Sequence, residues 1–245
     1  MFPALETLRG LTTYASADEL TVAVDRLTKS IGVSHWFYAI NLPLIDDRHA
    51  HFSLGGYPPG WLERYLEMQY LQIDPLVSHC HDHATPLSWA EAVGDNRAIA
   101  DPRLQKVRRM FGEAGEFGLG AGVSVPLHGP GVCWGLMSFA CDARNGEELS
   151  RRMPELHLLA HFVHEAGRHF ARARTQQTFP ALTKRERECL FWAAQGKTSW
   201  EIGQLLVISE RTVIFHLQNA AQKLGVCGRQ AAIARAISMG LIAPQ

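Results

Sequence analysis

Hydrophobic and polar positions change period several times along this chain. After a Ser16/Glu19 capping pattern, Leu20, Ala23, Val24 and Leu27 recur at helical spacing until Gly32, which predicts an amphipathic helix. Residues 34–42 (SHWFYAINL) are aromatic and β-branched enough for a strand. Asp46-Asp47 turns the chain, and His51 to Leu54 can return as a second strand. Tyr57-Pro58-Pro59-Gly60 breaks it before a helix from Trp61 to Tyr70. Asp74-Pro75 opens another helix, with aspartate as cap and proline in the first turn. Residues 101–114 read as helix. Ala121 to Pro126 and Cys133 to Cys141 read as strands joined by the turn His128 to Gly131. Glu147 to Arg174 reads as one long helix, and Gln176 to Pro180 as a polar joint.

Past that joint the punctuation is helical throughout. Thr183 with Glu186 and Thr198 with Glu201 are capping boxes, and Gly196 stops the first helix. Ser209 caps a third helix that runs to Gly225. Two short helices and a longer one on tight turns predict a helix-turn-helix, whose third helix would enter a major groove. Val213, Leu217, Ala220 and Leu224 form its core stripe. Arg211, Phe215, Gln218, Asn219 and Gln222 lie opposite, with Ile214 on the flank. Periodicity alone equally accommodates an ordinary amphipathic helix in a small bundle.

The order of elements predicts an α/β fold for the first domain, an α-β-α sandwich with an antiparallel central sheet, followed by an all-α helix-turn-helix domain. The expected boundaries are residues 1–175, a linker at 176–181, and residues 182–245.

Composition narrows the class. With 245 residues, 47% hydrophobic and 20% charged, this is a folded chain with room for two ordinary domains. No apolar run reaches the roughly 20 residues of a membrane span, and the N-terminus lacks a secretory pattern. Cys80, Cys133, Cys141, Cys189 and Cys227 are odd in number, spread out and without a CxxC pair, which reads as reduced thiols in a cytoplasm. The net charge of zero hides an asymmetry: from Gln176 onward eight Lys/Arg stand against four Glu, while the preceding part is acidic by the same margin. A basic module on an acidic body suits DNA contact, and its small excess calls for a dimer.

Chemistry-bearing residues of the first domain gather around one helix. Trp61 and Tyr65 are four apart and share a face with Met68; Asp74 and Trp89 follow. Indole and phenol donors beside a carboxylate in apolar surroundings could hold a small amphipathic amide. An aromatic core with a helix-capping aspartate accounts for the same spacing.

Other signals carry less. On a helix, His79 and His83 share a face while His81 points elsewhere, so the 79–83 cluster is a poor zinc site. His164-Glu165 starts like HExxH, but Arg168 occupies the second histidine's place. The His157, His161 and His164 stripe reads as surface or dimer interface. GLGAG at 118–122 lacks phosphate-cradle spacing, and no Ser-His-Asp or GxSxG arrangement is present, so neither a cofactor nor an enzyme is expected.

LTKRERECL, AAQGKTSWEIG and SERTVIFHLQNAAQKLGV resemble the DNA-binding domain of LuxR-type quorum-sensing regulators, over the last quarter of the chain. Glu186, Leu190 and Gly196 stand at that family's signature positions. GYPPGWLERY, IDPLVSHC and PLSW resemble its N-terminal autoinducer-binding domain, across residues 15–175. The resemblance implies a transcriptional regulator that binds an N-acyl-homoserine lactone and, as a homodimer, a palindromic site in double-stranded DNA, with RNA polymerase as a further partner. By position, Trp61 would donate to the lactone carbonyl, Tyr65 would bond the acyl amide carbonyl, and Asp74 would accept from the amide N–H. Trp89 would pack on the lactone ring, Ser138 would approach the acyl carbonyl, and Tyr57 and Phe37 would line the pocket. Leu136, Met137, Leu76 and Val123 are candidates for the acyl chain. Arg211, Ile214 and Gln218 are expected at bases, and Lys197, Thr198, Thr212, His216 and Lys223 at phosphates. The helix between Gly228 and Gly240, through Ala231, Ile233 and Ile237, is expected to pair the DNA-binding domains.

Three alternatives remain open at this point. One is a solo regulator of the same architecture sensing a non-lactone molecule. The second is a metal-dependent hydrolase with a helix-turn-helix appendage, built on residues 79–83. The third is a pure protein-interaction module.

Overall fold

The computed structural model describes residues 3–43, 49–94, 101–174 and 181–243. The expected turn at Asp46-Asp47 and the joint at Gln176 to Pro180 lie outside the described residues. The chain divides into two compact units.

The larger unit is a five-stranded antiparallel sheet with helices on its faces, in strand order β2-β1-β5-β4-β3. Helices α1 (Leu5–Gly10) and α2 (Ala17–Ser30) precede β1 (His35–Pro43) and β2 (His49–Gly56). The Ser16 hydroxyl accepts from the Glu19 N–H and starts α2 as its spacing foretold. Helices α3 (Pro59–Glu67), α4 (Pro75–Asp82), α5 (Trp89–Val93) and α6 (Pro102–Glu116) follow, with the two-residue strand β3 (Leu87–Ser88) before α5. The hairpin β4 (Ala121–His128) and β5 (Trp134–Cys141) completes the sheet, in the register Ser124 to Ser138 and Gly122 to Ala140.

Two helices differ from their expected extents. The stretch expected as one helix from Glu147 splits into α7 (Gly146–Arg151) and α8 (Met153–Arg174). Pro154 is the cause: it has no N–H for the Ser150 carbonyl and its ring would strike it, so the helix restarts with proline in the first turn. The helix expected to reach Tyr70 ends at Glu67; Gln69 is left-handed at φ 53°, and a short 3-10 turn spans Tyr70–Gln72.

Strand parity sorts the sheet's two faces. Tyr38 on β1 meets α8, where its hydroxyl lies 3.1 Å from His164 Nδ1 and its ring passes so close to Gly167 that a Cβ there would sit 2.5 Å away. Phe37 therefore faces the other way, onto Tyr57. Likewise Leu136, Ser138 and Ala140 share one face of β5, and Met137 and Phe139 the other.

The smaller unit carries α9 (Lys184–Ala194), α10 (Ser199–Leu206), α11 (Glu210–Lys223) and α12 (Arg229–Ser238). Both expected capping boxes form in full, Thr183 with Glu186 and Thr198 with Glu201, and the Ser209 hydroxyl caps α11. Leu190, Ile202, Val213, Leu217, Leu224 and Ile233 close one core. Gly203 allows the tight turn between α10 and α11, since a Cβ there would lie 2.8 Å from the Ile208 carbonyl oxygen.

Candidate ligand site and nucleic-acid interface

The ligand candidates converge beside one face of the sheet. Helix α3 supplies Trp61 and Tyr65 one turn apart, with rings 5.8 Å apart and edge to face. Asp74 is placed by its capping role: its carboxylate accepts from the Leu76 N–H at 2.8 Å, which leaves the second oxygen to take the Tyr65 hydroxyl at 2.8 Å. Capping and ligand reading are thus compatible, because one carboxylate has lone pairs for both. Tyr57 stacks on Phe37 at 5.7 Å and meets Trp89 edge-on at 6.4 Å. Trp89 lies over β4, where Gly122 makes room: a Cβ there would be 2.3 Å from the indole.

The floor of the site is a hydrogen-bonded chain. Trp89 Nε1 donates to Ser124 Oγ at 3.2 Å, the Ser124 and Ser138 hydroxyls lie 2.7 Å apart, and Ser138 is near enough to lower the Tyr57 phenol's pKa against its burial. Seven expected ligand residues, Phe37, Tyr57, Trp61, Tyr65, Asp74, Trp89 and Ser138, therefore belong to one contiguous aromatic and polar group. Ser124 and Tyr70 join them without having been singled out. Ser124 is fully buried at the center of the chain, and Tyr70 stacks on Trp61 at 6.0 Å. Sequence offered one cue to Ser124, a hydroxyl inside an otherwise apolar strand.

Of the acyl-chain candidates, Leu76 packs in this cluster with Trp61, Trp89, Met110 and Leu119. Val123 and Met137 do not fit the role. Each is the strand neighbor of a site serine, Ser124 or Ser138, so its side chain points to the opposite face. Leu136, in phase with Ser138, stays on the ligand side.

Burial sets the electrostatics. Asp74 is 9% exposed. Desolvation raises its pKa above the ordinary carboxylate value, while the Tyr65 hydroxyl and the Leu76 and Val77 N–H groups pull it back. Burial likewise pushes the Tyr57 and Tyr65 phenols well above the usual range, so both remain neutral donors. The Cys80 thiol is pushed up to about 12, first by burial and then by Asp74, and stays an inert, packed thiol. The site can hold a neutral molecule with an apolar part, carbonyl oxygens for Trp61 and Tyr65, and a donor for Asp74.

In the smaller unit, α11 buries Val213, Leu217, Ala220 and Ala221 and exposes Arg211, Ile214, Phe215 and Gln218. Arg211, Ile214 and Gln218 thus share an open face of guanidinium, apolar and amide groups. His216 is half-buried against Phe215, at 5.9 Å between rings. The Thr198 hydroxyl donates to Glu201, and the Thr212 hydroxyl lies 2.7 Å from that of Ser209, so both sit at helix starts whose N–H groups can face an anion. Lys197 and Ser199 are braced by the Arg229 guanidinium, which donates to the Lys197 carbonyl and the Ser199 hydroxyl. Lys223 differs from its expected setting. Its Nζ donates to the Glu186 carboxylate at 2.8 Å and the Ala181 carbonyl at 3.3 Å, tying the end of α11 to the start of α9. Ile233, expected at a pairing face, is in the domain core, while Ile237 is exposed.

The histidine clusters assemble differently. His79 and His83 stack at 4.5 Å, and His81 turns to Asp82 and Trp134. Among the described residues no group of three or more His, Cys, Asp and Glu could hold a metal ion. His164 is buried against Tyr38, and desolvation, then Arg168, brings it down to about 3, so it is a neutral core residue rather than part of a surface stripe.

Comparison with known proteins agrees with this division. The family described as "Autoinducer binding domain" matches residues 16–167, and "Bacterial regulatory proteins, luxR family" matches residues 180–236. The chain is 32% identical over 243 residues to the transcriptional activator protein AhyR of Aeromonas hydrophila, covering 98% of this chain and 92% of that one. It is 41% identical over 186 residues to y4qH, named as an HTH-type transcriptional regulator of Sinorhizobium fredii; the match covers 76% of this chain and 55% of that longer relative. Among solved structures, Escherichia coli SdiA aligns with a TM-score of 0.67 at 26% identity, covering 97% of each chain. SdiA in complex with octanoyl-rac-glycerol aligns at 0.68 and 26%, over 96% of this chain and 93% of that one. The chain belongs to the LuxR family of autoinducer-binding transcriptional regulators, and it is not an enzyme.

Proposed function

We propose that the larger unit binds an N-acyl-homoserine lactone and that the protein, as a cytoplasmic homodimer, then binds a palindromic DNA site and engages RNA polymerase. Asp74 carries this reading. A carboxylate that deep needs donors, and after Tyr65 and the Leu76 N–H it can still accept one more hydrogen bond. The amide N–H of an acyl-homoserine lactone supplies it. Trp61 then donates to the lactone carbonyl, and Tyr65 turns its single O–H from Asp74 to the acyl carbonyl as the amide N–H takes its place on the carboxylate; Ser138 and Tyr57 lie beside that carbonyl, and Trp89 and Phe37 close the walls. The acyl chain runs along Leu136 and Leu76. Each methylene buried is worth roughly 0.8 kcal/mol, and neighboring chain lengths differ by about 1–3 kcal/mol at most, so length preference is graded.

On DNA, Arg211, Ile214 and Gln218 face base edges, and Lys197, Thr198, Thr212 and His216 approach phosphates. The two recognition helices of a dimer read half-sites about 10 bp apart. Lys223, already bonded to Glu186, serves the domain before it serves a phosphate.

A second reading keeps the architecture and changes the ligand. It is favored by SdiA, which has been solved with octanoyl-rac-glycerol, a molecule with hydroxyl donors and no amide. Mass spectrometry of ligand extracted from protein purified from its native cells separates the two: an acyl-homoserine lactone upholds the first reading, and a monoacylglycerol or other non-lactone replaces it with the second.

A further inference from the structure

Glu113 lies on α6, away from the residues that would touch a ligand, yet three side chains converge on it. Arg64 donates twice, Nε to Oε2 at 2.8 Å and Nη2 to Oε1 at 3.2 Å. The Tyr70 hydroxyl donates to Oε2 at 2.8 Å, and Arg109 Nε to Oε1 at 2.7 Å. The guanidinium of Arg64 and then that of Arg109 hold the Glu113 carboxyl down to about 2, so it stays charged. Its side chain is only 15% exposed, and a forked contact there is stronger than an open surface pair.

Two of these donors belong to the segment that builds the ligand site. Arg64 sits between Trp61 and Tyr65 on α3. Tyr70 stacks on Trp61 at 6.0 Å with planes 28° apart and meets Tyr65 edge-on at 6.0 Å. Between them Gln69 takes a left-handed φ of 53°, a conformation that a non-glycine residue keeps only when its surroundings hold it. The Tyr70 bond to Glu113 is such a hold. Behind it, Phe117 at the end of α6 packs against Trp61 at 5.9 Å, and a cavity of about 370 Å³ lined by Arg64, Glu113, Glu116 and Phe117 opens at the back of the clamp.

We infer that Glu113 is a positioning residue for the ligand site: it clamps α3 and the turn after it to α6, and so sets the pose of Trp61 and Tyr65 against the polar head of the ligand. This rests on the reading of that site given above. Fixing the rings beforehand spares the ligand the cost of ordering them.

The test uses full-length protein with Glu113→Ala, Glu113→Gln and Tyr70→Phe. Calorimetric affinity is measured for N-acyl-homoserine lactones of increasing chain length, and hydrogen exchange is followed in ligand-free protein. Glu113→Ala should weaken every lactone by the same factor, about tenfold, because head contacts suffer while methylene packing does not. Glu113→Gln, which keeps an acceptor for Tyr70 and Arg64, should recover part of that loss. Tyr70→Phe should weaken binding about threefold and add nothing in the Glu113→Ala background. Amide exchange should quicken at residues 61–67. Unchanged affinity, or a loss that grows with each methylene as a general softening of the pocket would give, overturns the clamp. If the unaltered protein binds no lactone at all, the ligand assignment is what fails. The exchange arm still decides the clamp then: quickening confined to residues 61–67 upholds it, and unchanged exchange overturns it.

Discussion

The Tyr65 hydroxyl donates to the Asp74 carboxylate at 2.8 Å, joining the last turn of α3 to the cap of α4. The bond gives Asp74 two duties at once, starting a helix and facing an aromatic site.

It also makes ligand binding depend on pH. Burial raises the Asp74 pKa, and a ligand N–H prefers the carboxylate form. Affinity is therefore full above the raised value and falls as pH drops through it. The free protein has the opposite sign. A folded-state pKa raised above the unfolded value contributes stability that is present below the unfolded pKa and lost as pH rises through the folded one. Lactone affinity measured by calorimetry should weaken as pH falls from neutral through the raised Asp74 pKa. Asp74→Asn should bind about ten- to hundredfold more weakly, with no such trend. Affinity that strengthens on acidification contradicts the role given to Asp74.

Lys223 and Gln218 stand five residues apart on α11 and should behave oppositely. Glu186 is 3% exposed and loses its Lys223 partner in Lys223→Ala. That should destabilize the smaller unit by about 1–3 kcal/mol, seen as a lower denaturation midpoint. Gln218 is exposed and carries no such burden. Gln218→Ala should leave the midpoint within about 0.5 kcal/mol and relax sequence preference in a binding selection. A Gln218→Ala protein that weakens on all sequences equally refutes its base-reading role.

Val207 ends α10 in the left-handed region, at φ 55° and ψ 49°, and is 89% exposed. A β-branched side chain there costs about 1–2 kcal/mol and has little packing to offset it. Val207→Gly should raise the stability of the smaller unit by about 1 kcal/mol in chemical denaturation. A lower stability means that the side chain makes contacts in the folded chain worth more than the strain.

What could be read from the sequence was whatever is local. Capping boxes link residues three apart, so Thr183/Glu186 and Thr198/Glu201 fixed their helix starts. Asp74-Pro75 did the same for α4. Pro154 was an equally local signal and marks where the long helical pattern breaks. Strand parity could have removed Met137 from the pocket, because it adjoins Ser138, whereas excluding Val123 required Ser124, which only the pairing of β4 with β5 brings to the site. What could not be read depends on distant pairing. The Ser124 and Ser138 hydroxyls meet because β4 and β5 pair in one register, and a slip of one residue would separate them. Tyr38 reaches His164 across 126 residues, and Arg64 reaches Glu113 across 49. Lys223 looked like a phosphate contact because its exposure was foreseeable from helix phase, while its partner Glu186, 37 residues earlier, was not.

The most direct measurement is the thermal midpoint of the full chain with a series of N-acyl-homoserine lactones, beside Asp74→Asn. A ligand bound only by the folded state adds about 2.7 kcal/mol at a hundred times its Kd. The account predicts a midpoint that rises with lactone, by an amount graded with acyl length, and a rise that is at least halved in Asp74→Asn. A midpoint that ignores every lactone, or one that rises equally in Asp74→Asn, contradicts it.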